Sequence, residues 1–305
     1  VAKRYPPVIL ATCVVPWKSD WTLDDALFRQ EIRLLRDNLT RHLYVFGTAG
    51  EGYAVSDRQF DAIVDLFRQE MPGPENHPMV GVISLSLSTM IERIERCRDS
   101  GITRFQVSLP SWGRLTDREV AVFFHEVCDR FPSCRFMHYN LPRSGRVLTG
   151  DDYARLSADH PNLVAVKYGG GPDRAGRMDM LQKAPALQFF FTEQGYAECR
   201  DEAECGLLIS LALCHFAMAR RFLNARGSEL RLLSEELAFL GKALEQAVGE
   251  EGHIDGAFDK VLIRLHLPQF SLRLLPPYAF AGDTCMETFR SRIPANWRTS
   301  TDEGS

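Results

Sequence analysis

Lysine is rarely buried unless something uses its amine, and Lys167 closes the run Leu163-Val164-Ala165-Val166-Lys167. Apolar and β-branched, that run reads as a buried strand. Strand alternation puts Leu163, Ala165 and Lys167 on one face and Val164 and Val166 on the other. An amine held against apolar neighbours loses solvation of its charged form, so its pKa is expected to fall. A neutral amine attacks a carbonyl carbon and forms a Schiff base. A lysine at a strand end also snorkels into solvent, and the strand alone leaves both readings open.

The elements around Lys167 alternate regularly. Strands are expected at Val8–Val15, Leu43–Phe46, Met79–Ile83, Phe105–Leu109, Arg135–Asn140, Leu163–Lys167, Gln188–Thr192 and Leu207–Leu211. Between them lie helical patterns: Leu23–Asn38, Asp57–Gln69 behind a Ser56 cap, a Ser88-led helix ended by Gly101, Asp117–Arg130, Asp151–Ala158 and a weaker Arg174–Gln182. A helix is expected after each of the last two strands as well. Eight alternating units imply a parallel sheet and fit a closed (β/α)8 TIM barrel of the α/β class. A doubly wound open sheet is the competing architecture. It would want a glycine-rich turn after the first strand, and Thr12-Cys13-Val14-Val15-Pro16-Trp17 offers none. The expected division is a catalytic barrel over residues 1–225 and a C-terminal helical extension over 226–305 packed on it. Helices are expected there at Glu229–Val248, Ile254–Leu265 and Thr284–Arg292, and the polar tail Thr299–Ser305 is expected to fray.

Composition narrows the function classes. The chain has 305 residues, 45% hydrophobic and 25% charged, as ordinary globular proteins have. A net charge of −4 gives no basic footprint for nucleic acid. No apolar run approaches a membrane span, and Val1-Ala2-Lys3-Arg4-Tyr5-Pro6-Pro7 lacks a signal-peptide core. The eight cysteines form no CxxC pair and read as reduced, buried thiols, so the cytoplasm is the expected compartment. The eight histidines show no HxH or HExxH spacing, and no metal is expected.

In a barrel, chemistry sits at the C-terminal ends of the strands. The second strand ends in Gly47-Thr48-Ala49-Gly50-Glu51-Gly52, the fifth in His138-Tyr139-Asn140-Leu141-Pro142 and the sixth in Lys167-Tyr168-Gly169-Gly170-Gly171. These ends are expected to face one another across the barrel mouth. Taken singly, Thr48 and Gly50 also fit a simple βα turn, and Tyr139 fits a packed barrel tyrosine.

Together these segments resemble the pyruvate-dependent class I aldolases that include dihydrodipicolinate synthase and N-acetylneuraminate lyase. The family's GT/STGE loop, YNxP motif and Schiff-base lysine appear here as Gly47-Thr48-Ala49-Gly50-Glu51, Tyr139-Asn140-Leu141-Pro142 and Lys167. The resemblance covers about residues 8–225. It implies that Lys167 attacks the ketone of pyruvate or a related 2-oxo acid, with no cofactor beyond that covalent imine. Tyr139 would be the general acid–base, and the Thr48-Ala49-Gly50 turn with the Thr48 hydroxyl would hold the substrate carboxylate. Glu51 is read as a brace of that loop, outside the catalytic set. The implied partners are small molecules, a 2-oxo acid plus an aldehyde, between which a carbon–carbon bond is formed or cleaved. The resemblance also implies a homo-oligomer, commonly a tetramer.

The chain departs from the lysine-pathway synthases at three places. Ala49 stands where they carry a second threonine. Ser108-Leu109-Pro110-Ser111-Trp112 has no tyrosine after the fourth strand, and an indole donates a hydrogen bond but does not relay protons. Arg143 lies in a shorter loop than the arginine that grips their second substrate. Trp112 with Lys167-Tyr168 resembles the hydratase-aldolase branch instead, with Trp112 as an aromatic wall for the acceptor or as a packing residue. Sugar-acid dehydratases and a true dihydrodipicolinate synthase stay open, and so does a catalytically silent barrel that binds a 2-oxo acid.

Overall fold

The computed structural model describes residues 4–169, 173–249 and 253–298. Val1 to Lys3, Gly170 and Gly171 of the glycine run and the tail from Thr299 lie outside the described residues. Eight strands follow one another around a closed barrel in chain order: β1 Ile9–Cys13, β2 Leu43–Val45, β3 Met79–Gly81, β4 Arg104–Val107, β5 Arg135–Asn140, β6 Leu163–Tyr168, β7 Gln188–Phe191 and β8 Gly206–Leu208. Pairing is parallel, with Ala11 opposite Leu43, Phe105 opposite Phe136, Tyr139 opposite Lys167 and Ile9 opposite Leu207. All six residues of β6 are buried, as in parallel strands covered on both faces.

The helices are α1 Asp25–Asn38, α2 Asp57–Glu70, α3 Leu87–Asp99, α4 Asp117–Phe124, α5 Gly150–Asp159, α6 Arg174–Lys183, α7 Glu193–Cys199 and α8 Phe216–Asn224. Beyond the last barrel unit come α9 Gly227–Val248, α10 Asp255–His266 and α11 Cys285–Arg292, and α9 packs against both α10 and α11. The α2 pattern shows why these segments are helical. Ser56 and Gln59 form a reciprocal capping box, and Phe60, Ile63, Val64 and Phe67 make one buried stripe. Each such side chain stabilises the fold by about 1.5–3 kcal/mol.

Several element bounds differ from the sequence reading. The helix expected to be led by Ser88 begins at Leu87, because the Ser86 hydroxyl accepts the Thr89 N–H. The helix expected over Asp117–Arg130 is α-helical only to Phe124 and continues as one widened π turn, His125–Asp129. In that turn Asp129 accepts from two histidines, His125 and His160, at 2.8 Å each. The strand expected over Leu207–Leu211 stops at Leu208, because Leu211–Cys214 coil into a 3-10 turn.

The chain forms two compact units, Val1–Leu10 with Pro78–Leu208, and Ala11–His77 with Ile209–Ser305. The first holds β3 to β8, and the second holds β2, most of β1 and the C-terminal helices. All eight cysteines are buried free thiols. Among the described residues no helix is long and apolar enough to cross a membrane.

Candidate active site

In the first unit, β5 and β6 bring the two principal residues together. Their register sets Tyr139 beside Lys167, and Phe190 of β7 flanks Lys167 on the other side. Lys167 is 3% exposed, and its Nζ lies over the Tyr139 ring, 3.9 Å from the centroid. A π face attracts a cation at that range, whether an ammonium or the iminium an imine becomes on protonation. A Cβ built on Gly169 would lie 3.8 Å from the Tyr139 hydroxyl, so that hydroxyl sits at the C-terminal end of β6. Ala165 and Met137 fill the next positions along the same faces, and both are buried. The amine thus lies beside the Tyr139 ring, with buried apolar residues next along both strands.

The opposite face of β5 has a different environment. His138 Nδ1 lies 2.7 Å from the Tyr153 hydroxyl of α5, and burial pulls the imidazole from its ordinary 6.5 down to about 3. It is neutral at physiological pH. Asn140 is a residue for which the sequence reading had no separate role. Its side chain donates to the Leu148 carbonyl at 2.9 Å and accepts the Leu148 N–H at 3.0 Å, closing the loop after β5. Ser144 reinforces that loop through the carbonyls of Leu141 and Arg146. Arg146 is committed to the Leu115 carbonyl and Asp117, while Arg143 lies exposed on the turn Pro142–Ser144. Trp112, on the loop after β4, is 88% exposed in the chain.

In the second unit, Thr48, Ala49 and Gly50 share the turn after β2, with Thr48 and Ala49 buried. The turn is tight. Phe46 and Glu51 both hold positive φ, +67° and +58°, at a cost of about 1–3 kcal/mol each. Gly50 is required by close approach: a Cβ there would come 2.9 Å from Phe46 N and 3.0 Å from Cys13 O. The Glu51 N–H donates to the Thr48 carbonyl at 3.0 Å. Glu51 itself is fully buried and takes hydrogen bonds from Trp17 Nε1 at 2.9 Å, Lys260 Nζ at 2.6 Å and Leu275 N at 2.6 Å.

Lys260 is a second buried lysine, and the sequence reading missed it. Its helix, Asp-Gly-Ala-Phe-Asp-Lys-Val-Leu-Ile-Arg-Leu-His, has a polar residue at that place as any amphipathic helix does, so no local signal marks it. Burial lowers its pKa while Glu51 opposes the shift. Its amine is bound to a carboxylate and to the Arg273 carbonyl, a poor state for a nucleophile.

A closed parallel barrel with a buried lysine on its sixth strand is the kind of architecture on which carbonyl chemistry at an amine can be built. Residues 6–185 match the family model described as the Dihydrodipicolinate synthetase family. The chain is 26% identical over 243 residues to a 4-hydroxy-tetrahydrodipicolinate synthase of Prochlorococcus marinus (strain MIT 9303), covering 77% of this chain and 80% of that protein. Its fold superposes with a TM-score of 0.82 on YagE, a prophage protein of the dihydrodipicolinic acid synthase family from E. coli K12 solved with pyruvate, at 15% identity, covering 93% of this chain and 96% of that one. A catalytic-lysine mutant of the Ruminococcus gnavus sialic acid aldolase gives a TM-score of 0.77 at 13% identity, with 94% and 93% covered. The chain belongs to the dihydrodipicolinate synthetase family. It is an enzyme of the class I aldolase and lyase type.

Proposed function

We propose that the enzyme forms or cleaves a carbon–carbon bond between a 2-oxo acid, pyruvate in the simplest case, and an aldehyde, through an imine on Lys167. The Lys167 amine adds to the ketone carbon, and the carbinolamine loses its oxygen as water once that oxygen is protonated. The resulting iminium accepts electrons from the adjacent carbon as a proton leaves it, giving an enamine. The enamine carbon attacks the aldehyde carbonyl, whose oxygen takes a proton, and hydrolysis of the imine frees Lys167. Cleavage runs the same steps backwards. Tyr139 moves the protons, the Thr48-Ala49-Gly50 turn takes the carboxylate, and Trp112 and Arg143 serve the aldehyde partner.

The observation that carries this reading is the buried Lys167 amine 3.9 Å over the Tyr139 ring. Glycine at position 50 lets the backbone of the turn come close to a ligand. Ala49 in place of a threonine, and Trp112 where the synthases have a tyrosine, favour an acceptor other than that of the lysine-pathway synthases, and an aromatic aldehyde suits the indole. The buried free thiols suit a reducing compartment, which supports the cytoplasm. Exposed Leu85 and Val122 are apolar surface of the kind an oligomer covers, in keeping with a tetramer.

Borohydride reduction in the presence of pyruvate, read by intact mass and peptide mapping, tests the chemistry. A pyruvate-sized adduct on Lys167 is expected. Pyruvate binding by calorimetry with no adduct would replace this reading with that of a silent 2-oxo-acid-binding barrel.

A further inference from the structure

Within the second unit, Glu51 and Lys260 form an ion pair with no solvent exposure on either side chain. Such a pair does little for stability relative to apolar side chains of the same volume, because desolvating both charges offsets their attraction. Its geometry points to another role. Glu51 follows Gly50 directly, so its carboxylate is the handle nearest the Thr48-Ala49-Gly50 turn. Three donors from three separate segments hold that handle: Trp17 from the segment after β1, Lys260 from α10, and the Leu275 N–H from the chain beyond α10. Lys260 is anchored in turn by the Arg273 carbonyl.

Helix α10 touches the turn at a second point. A Cβ on Gly256 would come 2.9 Å from the Ala49 carbonyl oxygen, so the helix backbone lies directly against the turn. Gly256 and Lys260 are four residues apart and therefore share one face of α10. One helix face thus meets the turn at Ala49 through Gly256 and at Glu51 through Lys260. Glu31 lies in the same buried cluster and interacts electrostatically with Lys260. It accepts the Val14 N–H at 2.7 Å, and burial raises its pKa well above the ordinary carboxylate value.

We infer that Glu51 and Lys260, with Trp17 and Gly256, are positioning residues that set the placement of the Thr48-Ala49-Gly50 turn and thereby the affinity for the 2-oxo acid carboxylate. This rests on the proposed role of that turn. It gives the C-terminal helices a part in substrate binding, through groups that never touch substrate.

The test is borohydride labelling of the full-length chain across a range of pyruvate concentrations, with the adduct mapped. Trp17→Phe removes one donor and keeps the ion pair. The double substitution Lys260→Met with Glu51→Gln removes both charges and keeps one acceptor oxygen, for Trp17 or for Leu275. His138→Phe, in the first unit, is the control for destabilisation alone. For Trp17→Phe the half-saturating pyruvate concentration is expected to rise roughly threefold to tenfold, the worth of one hydrogen bond, and for the double variant it is expected to rise further. The limiting extent of labelling at Lys167 should stay at the parent's level in both. His138→Phe should lower thermal stability and leave half-saturation in place. An unshifted half-saturation in folded Trp17→Phe and in the folded double variant overturns the positioning role. So does an equal shift in His138→Phe. A parent that takes no adduct at all overturns the imine reading of Lys167, and this inference with it.

Discussion

The Lys167 amine rests on the face of the Tyr139 ring, 3.9 Å from its centroid, because β5 and β6 pair in a register that makes the two residues neighbours. A ring face serves a cation in either of two states, the resting ammonium and the protonated imine. The hydroxyl of the same ring reaches the end of β6 beside Gly169. In the proposed mechanism this one side chain serves as both a charge-stabilising surface for the Lys167 nitrogen and a proton carrier for the substrate.

Replacing Lys167, the proposed nucleophile, should separate chemistry from folding. Lys167→Ala is expected to give no borohydride adduct with pyruvate and no aldol turnover. Its far-UV circular dichroism should match the parent, since the flanking β5 and β7 residues are buried independently of the amine. Turnover equal to the parent's would remove Lys167 from the mechanism.

The phenol should matter to rate more than to imine formation. Tyr139→Phe keeps the ring beneath the amine and deletes the proton carrier. Turnover is expected to fall about 10²- to 10⁴-fold, the usual worth of general acid–base catalysis, while an adduct on Lys167 still accumulates. Single-turnover kinetics with mass detection measure both quantities in one sample.

Acid stability should depend on His138. Buried and neutral, it titrates near 3 in the fold against an ordinary value of 6.5. Below about pH 6.5 the unfolded chain takes up a proton that the folded chain refuses, so stability falls as pH drops from 6.5 toward 3. Above that window the group contributes no pH dependence. Between pH 7 and pH 4.5 the loss from this one residue is about 2–3 kcal/mol. Urea unfolding at the two pH values measures it, and His138→Phe should show a correspondingly flatter dependence despite its lower stability at pH 7.

The turn after β2 has no room for a methyl group. Gly50→Ala would press on Phe46 N and Cys13 O, both backbone atoms that yield little. A loss of about 1–3 kcal/mol is expected, with weaker pyruvate binding by calorimetry in the folded fraction. Retained affinity would argue that the carboxylate binds elsewhere.

Trp112 is expected to be dispensable for folding and important for the acceptor. At 88% exposure, Trp112→Ala should shift stability by no more than about 0.5 kcal/mol. Turnover with aromatic aldehydes should drop relative to small aliphatic ones. Equal loss with both classes would remove the aromatic-wall role.

Much of this molecule is legible along the chain. The strand and helix alternation, the Ser56 cap and the strand that carries Lys167 follow from periodicities of two and 3.6 residues and from local hydrogen bonding. These depend on neighbours within a turn or a strand, so the order of residues determines them. The tertiary structure decided which polar side chains meet. Tyr139 and Lys167 touch through the β5–β6 register, and His138 finds Tyr153 on the helix that follows. Lys260 is buried because Glu51, 209 positions earlier, awaits it. Burying a charge is tolerable only with a partner in place, and a partner that distant in the chain exists only once the chain has folded.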